Sequence, residues 1–423
     1  MRVLALTNMY PPHHYGGYEI NCQEAVSFFR EVGHDVLVLT SDLAVPGVVG
    51  DPERRNEVRR ELRTYWADHL IVRPSLRDSF AIERHNQRSL DRAITDHRPD
   101  VVSVWHMGAL SLGLLTTCRR RGIPLVHVVN DDWPVYGTDV DGWARRWRRA
   151  GPLATVGERV LGVPCRTPDL GSAGTFCFVS EHTRRVAELH SGWTFPDATV
   201  GYCGVNPYDF PIGAAPARSS WTWRLLHVGR VDDRKGIDIA IRSLAHLPDE
   251  ATLDIVGRGD DRSVAELGAL VERLGLEDRV HFEVVERQQL AARYASADAL
   301  LFPPRWEEPF GLVPLEAMAC STPVVATGTG GSAEFLIDGA NCLLVPVDDD
   351  VGLANAVQRL ANDPALRARL VRGGLLTARE LSLPRWLTLL EQWHSAAAAG
   401  FEHGRPPHRA RITDVLTAAL AER

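Results

Sequence analysis

Two carboxylates frame the stretch "RWEEPFGLVPLEAMACSTPVVAT" (305–327): Glu308 and Glu316 stand eight residues apart, and Pro309, Phe310 and Gly311 follow the first. A strand-like "ALLFPP" ends at 304, and "GLVPLEAMAC" has the small, apolar character of a packed helix. Free amides at Phe310, Gly311 and Leu312 therefore fall where a helix begins, backed by the positive end of its dipole. That is a place for a phosphate. A helix through both carboxylates would separate them by about 12 Å at 1.5 Å per residue. A diphosphate between two sugar rings spans a similar distance, so Glu308 could accept hydrogen bonds from one sugar and Glu316 from a ribose. The plainer reading makes Glu308 a dipole-complementing residue and Glu316 a solvated helix position.

A second stretch, "VGRVDDRKG" (228–236), ends a strand with Gly229-Arg230 and reaches Lys235 five residues after Arg230. Two cations there would neutralise a diphosphate and stabilise it as it leaves. Of 47 basic residues, 46 are Arg, and Lys235 is the single lysine. A general bias toward Arg explains the pattern but not the exception, since a compact ammonium against a phosphate does not exchange freely for a planar fork. The alternative is a surface pair that caps the strand. Near the amino terminus, "MYPPHHYGGYEI" (9–20) joins a strand to a helix through Gly16-Gly17, where backbone could approach a ligand. A bare tight turn is the competing reading, and the G-x-G-x-x-G of dinucleotide sites is absent. His106 closes "VVSVWH" at a strand end, a place for an imidazole facing a ligand or for an ordinary buried histidine. His13 and His14 have no ligand-like spacing and carry no role.

These residues need elements to position them. Short β-branched runs, "RVLALTN" (2–8), "DVLVLTS" (35–41), "VVSVWH" (101–106), "PLVHVVN" (124–130) and "TFCFVS" (175–180), alternate with helix-period segments such as 18–34 and 109–122. Alternation of this kind predicts right-handed βαβ units on a parallel sheet covered on both faces. The Pro-, Gly- and Ser-rich 206–221 reads as a linker, after which the alternation restarts at 223–230, 251–259, 279–285, 299–304, 323–327 and 341–346. The fold class expected is α/β, with two doubly wound Rossmann-like domains facing across a cleft. The boundaries are 1–205, a linker at 206–221, 222–380, and a segment at 381–423 that holds a long amphipathic helix and a tail. Ligands of such sheets bind beyond the carboxyl ends of the strands.

Composition excludes several classes. A chain of 423 residues exceeds one ordinary core. No run approaches a membrane span, and the apolar run at the amino terminus is too short for a signal peptide. Seven scattered cysteines without C-x-x-C spacing argue against a disulfide framework or a zinc site and for a reducing, cytoplasmic setting. The net charge of −7 gives no case for nucleic acid.

Taken together, Gly16-Gly17, His106, Gly229-Arg230 with Lys235-Gly236, and Glu308 to Glu316 running into "EAMACSTPVV" resemble the family 4 retaining glycosyltransferases of GT-B architecture, the glycosyl transferases group 1. The resemblance spans nearly the whole chain and is strong in the second half, looser in the first. It departs at Ser321, where Gly is common, and at "VGRGDD" (256–261), where Arg258 could alter a base pocket. The resemblance implies transfer of a sugar from a nucleoside-diphosphate sugar to a hydroxyl, with retained configuration and no metal. No cofactor is implied, because the nucleotide sugar is itself a substrate. A UDP-sugar is preferred over GDP-mannose on family frequency alone. By resemblance Arg230 and Lys235 bind the diphosphate, Glu316 the ribose and Glu308 the donor sugar. Backbone at Phe310, Gly311 and Leu312 holds phosphate and sugar, and Val285 marks the base loop. Gly17, with Gly16, meets donor phosphate or acceptor, and His106 approaches the transferring sugar. The 381–397 helix crosses back onto the first domain.

The acceptor, a hydroxyl-bearing small molecule, glycan or lipid, is not legible. Two rivals stand beside this reading: a sugar phosphorylase or nucleotide-sugar epimerase on the same fold, and a nucleotide-sugar-binding protein without turnover. "TGTGGSAE" (327–334) is weak as a NAD site and fits better as a glycine loop facing a sugar. "WARRWRR" (143–149) suits either a helix with weak contact to an anionic membrane surface or a solvated face with two packed tryptophans. "PERRNEVRRELR" (52–63) reads as a solvated helix or loop, and 411–423 as one more surface helix.

Overall fold

Strands that are apolar without alternation can be buried on both faces only inside a parallel sheet flanked by helices. The computed structural model, which describes residues 1–49, 57–67, 70–166, 170–214, 220–400 and 417, contains two such sheets. The chain divides into two units, one of residues 1–201 with 387–400 and the other of residues 202–386.

The first unit holds β1 (Arg2–Leu6), β2 (Asp35–Ser41), β3 (Val58–Leu62), the short pair β4 (Trp66–Ala67) and β5 (Leu70–Ile71), then β6 (Val101–Val104), β7 (Leu125–Val129), β8 (Thr175–Phe178) and β9 (Ala198–Val200). Its helices are α1 (Gly17–Glu31), α2 (Leu76–His97), α3 (Gly113–Arg120), α4 (Trp133–Val140), α5 (Gly142–Trp147), α6 (Pro152–Leu161) and α7 (Glu181–His190). Seven strands lie in the order β3-β2-β1-β6-β7-β8-β9, all parallel. The segment 52–63 departs from expectation: residues 58–62 form the edge strand β3 beside β2, with Val58 and Leu62 buried. Charged residues between two inward apolar ones suit an edge strand better than a helix.

The second unit holds β10 (Arg224–Val228), β11 (Thr252–Val256), β12 (Val280–Glu283), β13 (Ala299–Phe302), β14 (Val324–Ala326) and β15 (Leu343–Leu344). Its helices are α8 (Ile237–Leu244), α9 (Asp261–Leu274), α10 (Arg287–Ser296), α11 (Leu312–Ala319), α12 (Asp350–Asn362) and α13 (Pro364–Glu380); α14 (Leu383–Ala398) begins here. The order β12-β11-β10-β13-β14-β15 is again all parallel. From Leu387 onward α14 belongs to the first unit, where His394 reaches Ser103 (2.8 Å) and Glu391 pairs with His34 (3.0 Å).

Both sheets are doubly wound, and each reverses direction beside its first strand: between β1 and β6, and between β10 and β13. A crevice opens beyond the carboxyl ends of strands at such a reversal. The loops that leave these four strands carry Gly16-Gly17, His106, Arg230 with Lys235, and Glu308, while Val285 follows β12 and Glu316 lies in α11. The 411–423 tail lies outside the described residues, apart from position 417. No helix among the described residues is long and apolar enough to cross a membrane. All seven cysteines are buried free thiols.

Candidate active site

In the second unit, β10 runs out at Val228 and the chain turns through Asp233–Lys235 before α8; β13 runs out at Phe302 and loops to α11. Being neighbours in the sheet, these two exits place Lys235 against Glu308. The ammonium donates to Glu308 Oε1 at 2.5 Å, with the two side chains 15% and 7% exposed. The same oxygen accepts the indole N–H of Trp306 at 2.8 Å. The Trp306 ring also lies beneath two cations, Arg234 at 4.9 Å and Lys235 at 5.5 Å from its centroid. Trp306 was not singled out from sequence. Its place two residues before Glu308, in a loop opposite the lone lysine, was the available signal.

The expected helix through both carboxylates is corrected. Helix α11 starts at Leu312, so Glu308 lies outside it and the rise of a helix does not set the Glu308–Glu316 distance. Gly311 is its N-cap at φ +94°, a left-handed turn that a residue with a Cβ enters at a cost. The amides that lack intrahelical partners run from the N-cap, Gly311, into the first turn. Pro314 falls in the first turn, where its missing N–H matters little. The Phe310 side chain is buried against Phe335 (5.1 Å) and Tyr202 (6.0 Å), leaving its backbone alone for a ligand. The glycine stretch 327–334 braces this loop from behind. Gly331 N–H donates to the Glu308 carbonyl at 2.6 Å, and the Thr329 hydroxyl to that of Trp306 at 2.7 Å. At Gly330 (φ +57°) a Cβ would stand 2.5 Å from the Glu308 carbonyl, so only glycine fits.

Glu316 is 5% exposed. Burial pushes its pKa upward, opposed by the Arg287 charge and the Tyr294 hydrogen bond. Tyr294 donates to Oε2 at 2.8 Å, and Arg287 Nη1 stands 3.7 Å from Oε1 while its Nε donates to Asp209 at 2.7 Å. Val285 is in the loop between β12 and α10, two residues before Arg287. Arg230 is not drawn into either group. Its side chain is 57% exposed and its neighbour in charge is Asp232, 3.6 Å away and shared with Arg234. Arg287, Tyr294 and Asp209 were missed because nothing in their spacing separates them from ordinary helix and loop residues.

In the first unit, β1 and β6 exit side by side, and Asn8 N–H donates to the His106 carbonyl at 2.8 Å. Strand β6 ends at Val104, two residues before His106. The His106 ring stacks on Tyr18 at 5.0 Å. Its Nε2 meets Tyr136 Oη at 2.8 Å and Asp131 Oδ2 at 3.3 Å, and Glu19 Oε1 lies 3.7 Å from Nδ1. Burial would lower its pKa, but the Asp131 and Glu19 carboxylates outweigh that and raise it to about 10. Burial acts upward on Asp131, yet the facing imidazolium and the bonds from Tyr136 and Trp133 N–H hold it below its ordinary value. An imidazolium so held donates at neutral pH and is not a general base. Gly16 caps α1, its N–H donating to Glu19 Oε2 at 3.1 Å, and a Cβ on Gly17 would meet nothing within 4 Å. Neither packing nor the sign of φ requires glycine at either position. Glu19, Asp131 and Tyr136 also went unrecognised. "NDDW" immediately after β7 was the sequence signal for Asp131.

Comparison with known proteins adds the decisive observation. The family description "Glycosyl transferases group 1" matches residues 217–375 and "Glycosyltransferase Family 4" matches residues 15–208. A D-inositol 3-phosphate glycosyltransferase of Arthrobacter sp. is 33% identical over 316 residues, 72% of each chain. The chain belongs to the family 4 glycosyltransferases.

Another D-inositol 3-phosphate glycosyltransferase, from Xylanimonas cellulosilytica, is 38% identical over 178 residues, but there the match spans 40% of the relative and 41% of this chain. For several such relatives this chain spans about two fifths of their length. In fold, this family 4 glycosyltransferase is similar to sucrose-phosphate synthase from Thermosynechococcus elongatus (TM-score 0.69, 23% identity, 94% and 99% of the two chains). It is also similar to Anabaena HepE, solved with UDP and glucose (TM-score 0.65, 19% identity, 94% and 100%). The GT-B architecture expected from sequence is the one found.

Proposed function

We propose that this glycosyltransferase moves a sugar from a nucleoside-diphosphate sugar to a hydroxyl acceptor, with retained anomeric configuration and without a metal. The observation that carries the reading is the buried Lys235–Glu308 pair beside the mouth of α11, at the β10/β13 reversal. In this reading Lys235 releases part of its hold on Glu308 to the donor. The ammonium then faces the diphosphate while Glu308 accepts the sugar hydroxyls. Arg230 swings from its exposed position to the same phosphates, and the backbone of Phe310, Gly311 and Leu312 completes their cradle. Glu316, oriented by Tyr294 and Arg287, takes the ribose, and backbone at Val285 the base. In the first unit His106 acts as a fixed cation toward the transferring sugar, and the open space at Gly16-Gly17 admits phosphate or acceptor. The departing phosphate, rather than a protein base, takes the acceptor's proton, which suits a histidine kept protonated.

Anabaena HepE, crystallised with UDP and UDP-glucose, supports a UDP-sugar as the first donor to try. The curated relatives' name makes inositol 3-phosphate the first acceptor. Calorimetric titration of UDP, GDP and ADP identifies the nucleotide, and proton NMR of the product's anomeric doublet reads its configuration. UDP binding followed by transfer with retention is expected. Binding with no transfer to a broad acceptor panel would make this a nucleotide-sugar-binding protein, and an inverted product would overturn the mechanism. Among the described residues no three or more His, Cys, Asp or Glu side chains are grouped to hold a metal. Metal independence is tested with a chelator, which should leave the rate unchanged.

A further inference from the structure

Helix α6 is apolar over a wider arc than its packing uses. Ala154 and Gly157 face inward, and Gly157 lies so close under Trp147 that a Cβ would stand 2.4 Å from the indole. At 3.6 residues per turn, Leu153, Val156 and Val160 fall within about 60° of one another, on the side next to that buried strip. They are 68%, 57% and 77% exposed. A helix in water ordinarily gives such positions to polar residues.

The charges on α5, on α6 and in the turn between them have one sign left over. Arg148 is paired with Asp139, and the Arg146 guanidinium donates to the Pro74 carbonyl. Glu158, the acid on α6, is occupied by the Cys165 and Arg166 amides and by Arg120. Arg145, Arg149 and Arg159 have no acidic partner among the described residues. A local excess of cations in a chain of net charge −7 is not its average surface.

We propose that the exposed face of α6 docks on an anionic lipid surface, with Leu153, Val156 and Val160 entering the acyl boundary and Arg145, Arg149 and Arg159 meeting the headgroups. A helix lying in the plane of an interface combines an apolar face with cations on the same and the preceding segment, as Arg159 on α6 and Arg145 and Arg149 before it provide. A second copy of the chain is a poorer occupant, because a symmetric contact brings the same arginines against one another. The tryptophans of "WARRWRR" do not take part: Trp143 is 2% exposed and Trp147 is packed against Trp143 (5.6 Å) and Gly157. The lipid face is the helix that follows them. This inference stands on the surface alone and is independent of the donor or acceptor.

The test is co-sedimentation of the full chain with phosphatidylcholine vesicles, with and without phosphatidylglycerol, at low and high salt. Binding to the anionic vesicles and release by salt are expected. The triple variant Arg145→Gln, Arg149→Gln, Arg159→Gln should weaken partitioning by about 100-fold, roughly five-fold per charge. Leu153→Ser, Val156→Ser, Val160→Ser should weaken it by at least as much, with the melting temperature unchanged because the side chains are exposed. If that variant fails to fold, the arginine variant decides. Absence of binding, equal binding to both vesicle types, or concentration-dependent self-association without vesicle binding would each overturn the proposal, the last by assigning the face to a second copy.

Discussion

Replacing Lys235 by Met removes one ammonium and leaves the Glu308 carboxylate buried, with the Trp306 indole as its remaining hydrogen-bond donor. Breaking a buried ion pair on one side costs about 3–5 kcal/mol, and the surviving indole puts this case near about 3 kcal/mol. In a unit of about 185 residues, that loss lowers the melting temperature by roughly 6–12 °C. The double variant Lys235→Met, Glu308→Gln removes both charges and should recover most of the loss, which isolates the pair from the packing of the lysine stem. Differential scanning calorimetry of the four proteins gives the cycle. The same lysine substitution should cut turnover by about 10²–10³-fold if the ammonium stabilises the leaving diphosphate. An unchanged melting temperature would show that the pair is not a buried contact in solution. Near-normal turnover with a lowered melting temperature would leave Lys235 a structural residue and remove it from the chemistry.

Trp306→Phe keeps the ring under Arg234 and Lys235 but deletes the N–H to Glu308; turnover should fall about ten-fold, with little change in nucleotide affinity by calorimetry. Ser321 stands at φ +63° just past the end of α11, so Ser321→Gly should stabilise by about 1 kcal/mol, read as a higher melting temperature. His106 has a folded-state pKa raised from 6.5 to about 10. Its stabilisation is therefore complete below pH 6.5 and disappears as pH rises through about 10. His106→Gln should flatten the stability profile across that window in thermal melts. Glu83, buried and hydrogen-bonded by Tyr65 and Ser111, is raised from 4.5 to about 8, mainly by burial and then by Asp141. Stability should fall as pH climbs through that range, and Glu83→Gln should lessen the fall in the same assay.

The sheets were legible because a strand buried on both faces must be apolar throughout. Strands β1, β2, β6, β7, β8 and the whole second sheet coincide with runs read from sequence. Edge strand β3 was not legible, since one solvated side lets charges interrupt the run. Helix α2, twenty-two residues with Ser79, Glu83, Asn86 and Gln87 buried, hides its inward face behind polar residues that bond to Arg63, Tyr65, Ser111 and Thr117. At the candidate site, motif spacing announced Lys235 and Glu308 but not that they touch. That contact depends on β10 and β13 being neighbours, a matter of topology rather than of distance along the chain. How the partners of His106 meet was illegible for the same reason: Glu19, Asp131 and Tyr136 come from three separate elements.

The single lysine of the sequence is the amine that stands against Glu308. Isotope-labelled reductive methylation would put a side-chain methylamine signal there. That signal would come from the centre of the candidate site without any engineered probe. Nucleotide occupancy, and the exchange of Glu308 for phosphate around that nitrogen, could then be followed by NMR in the otherwise native chain.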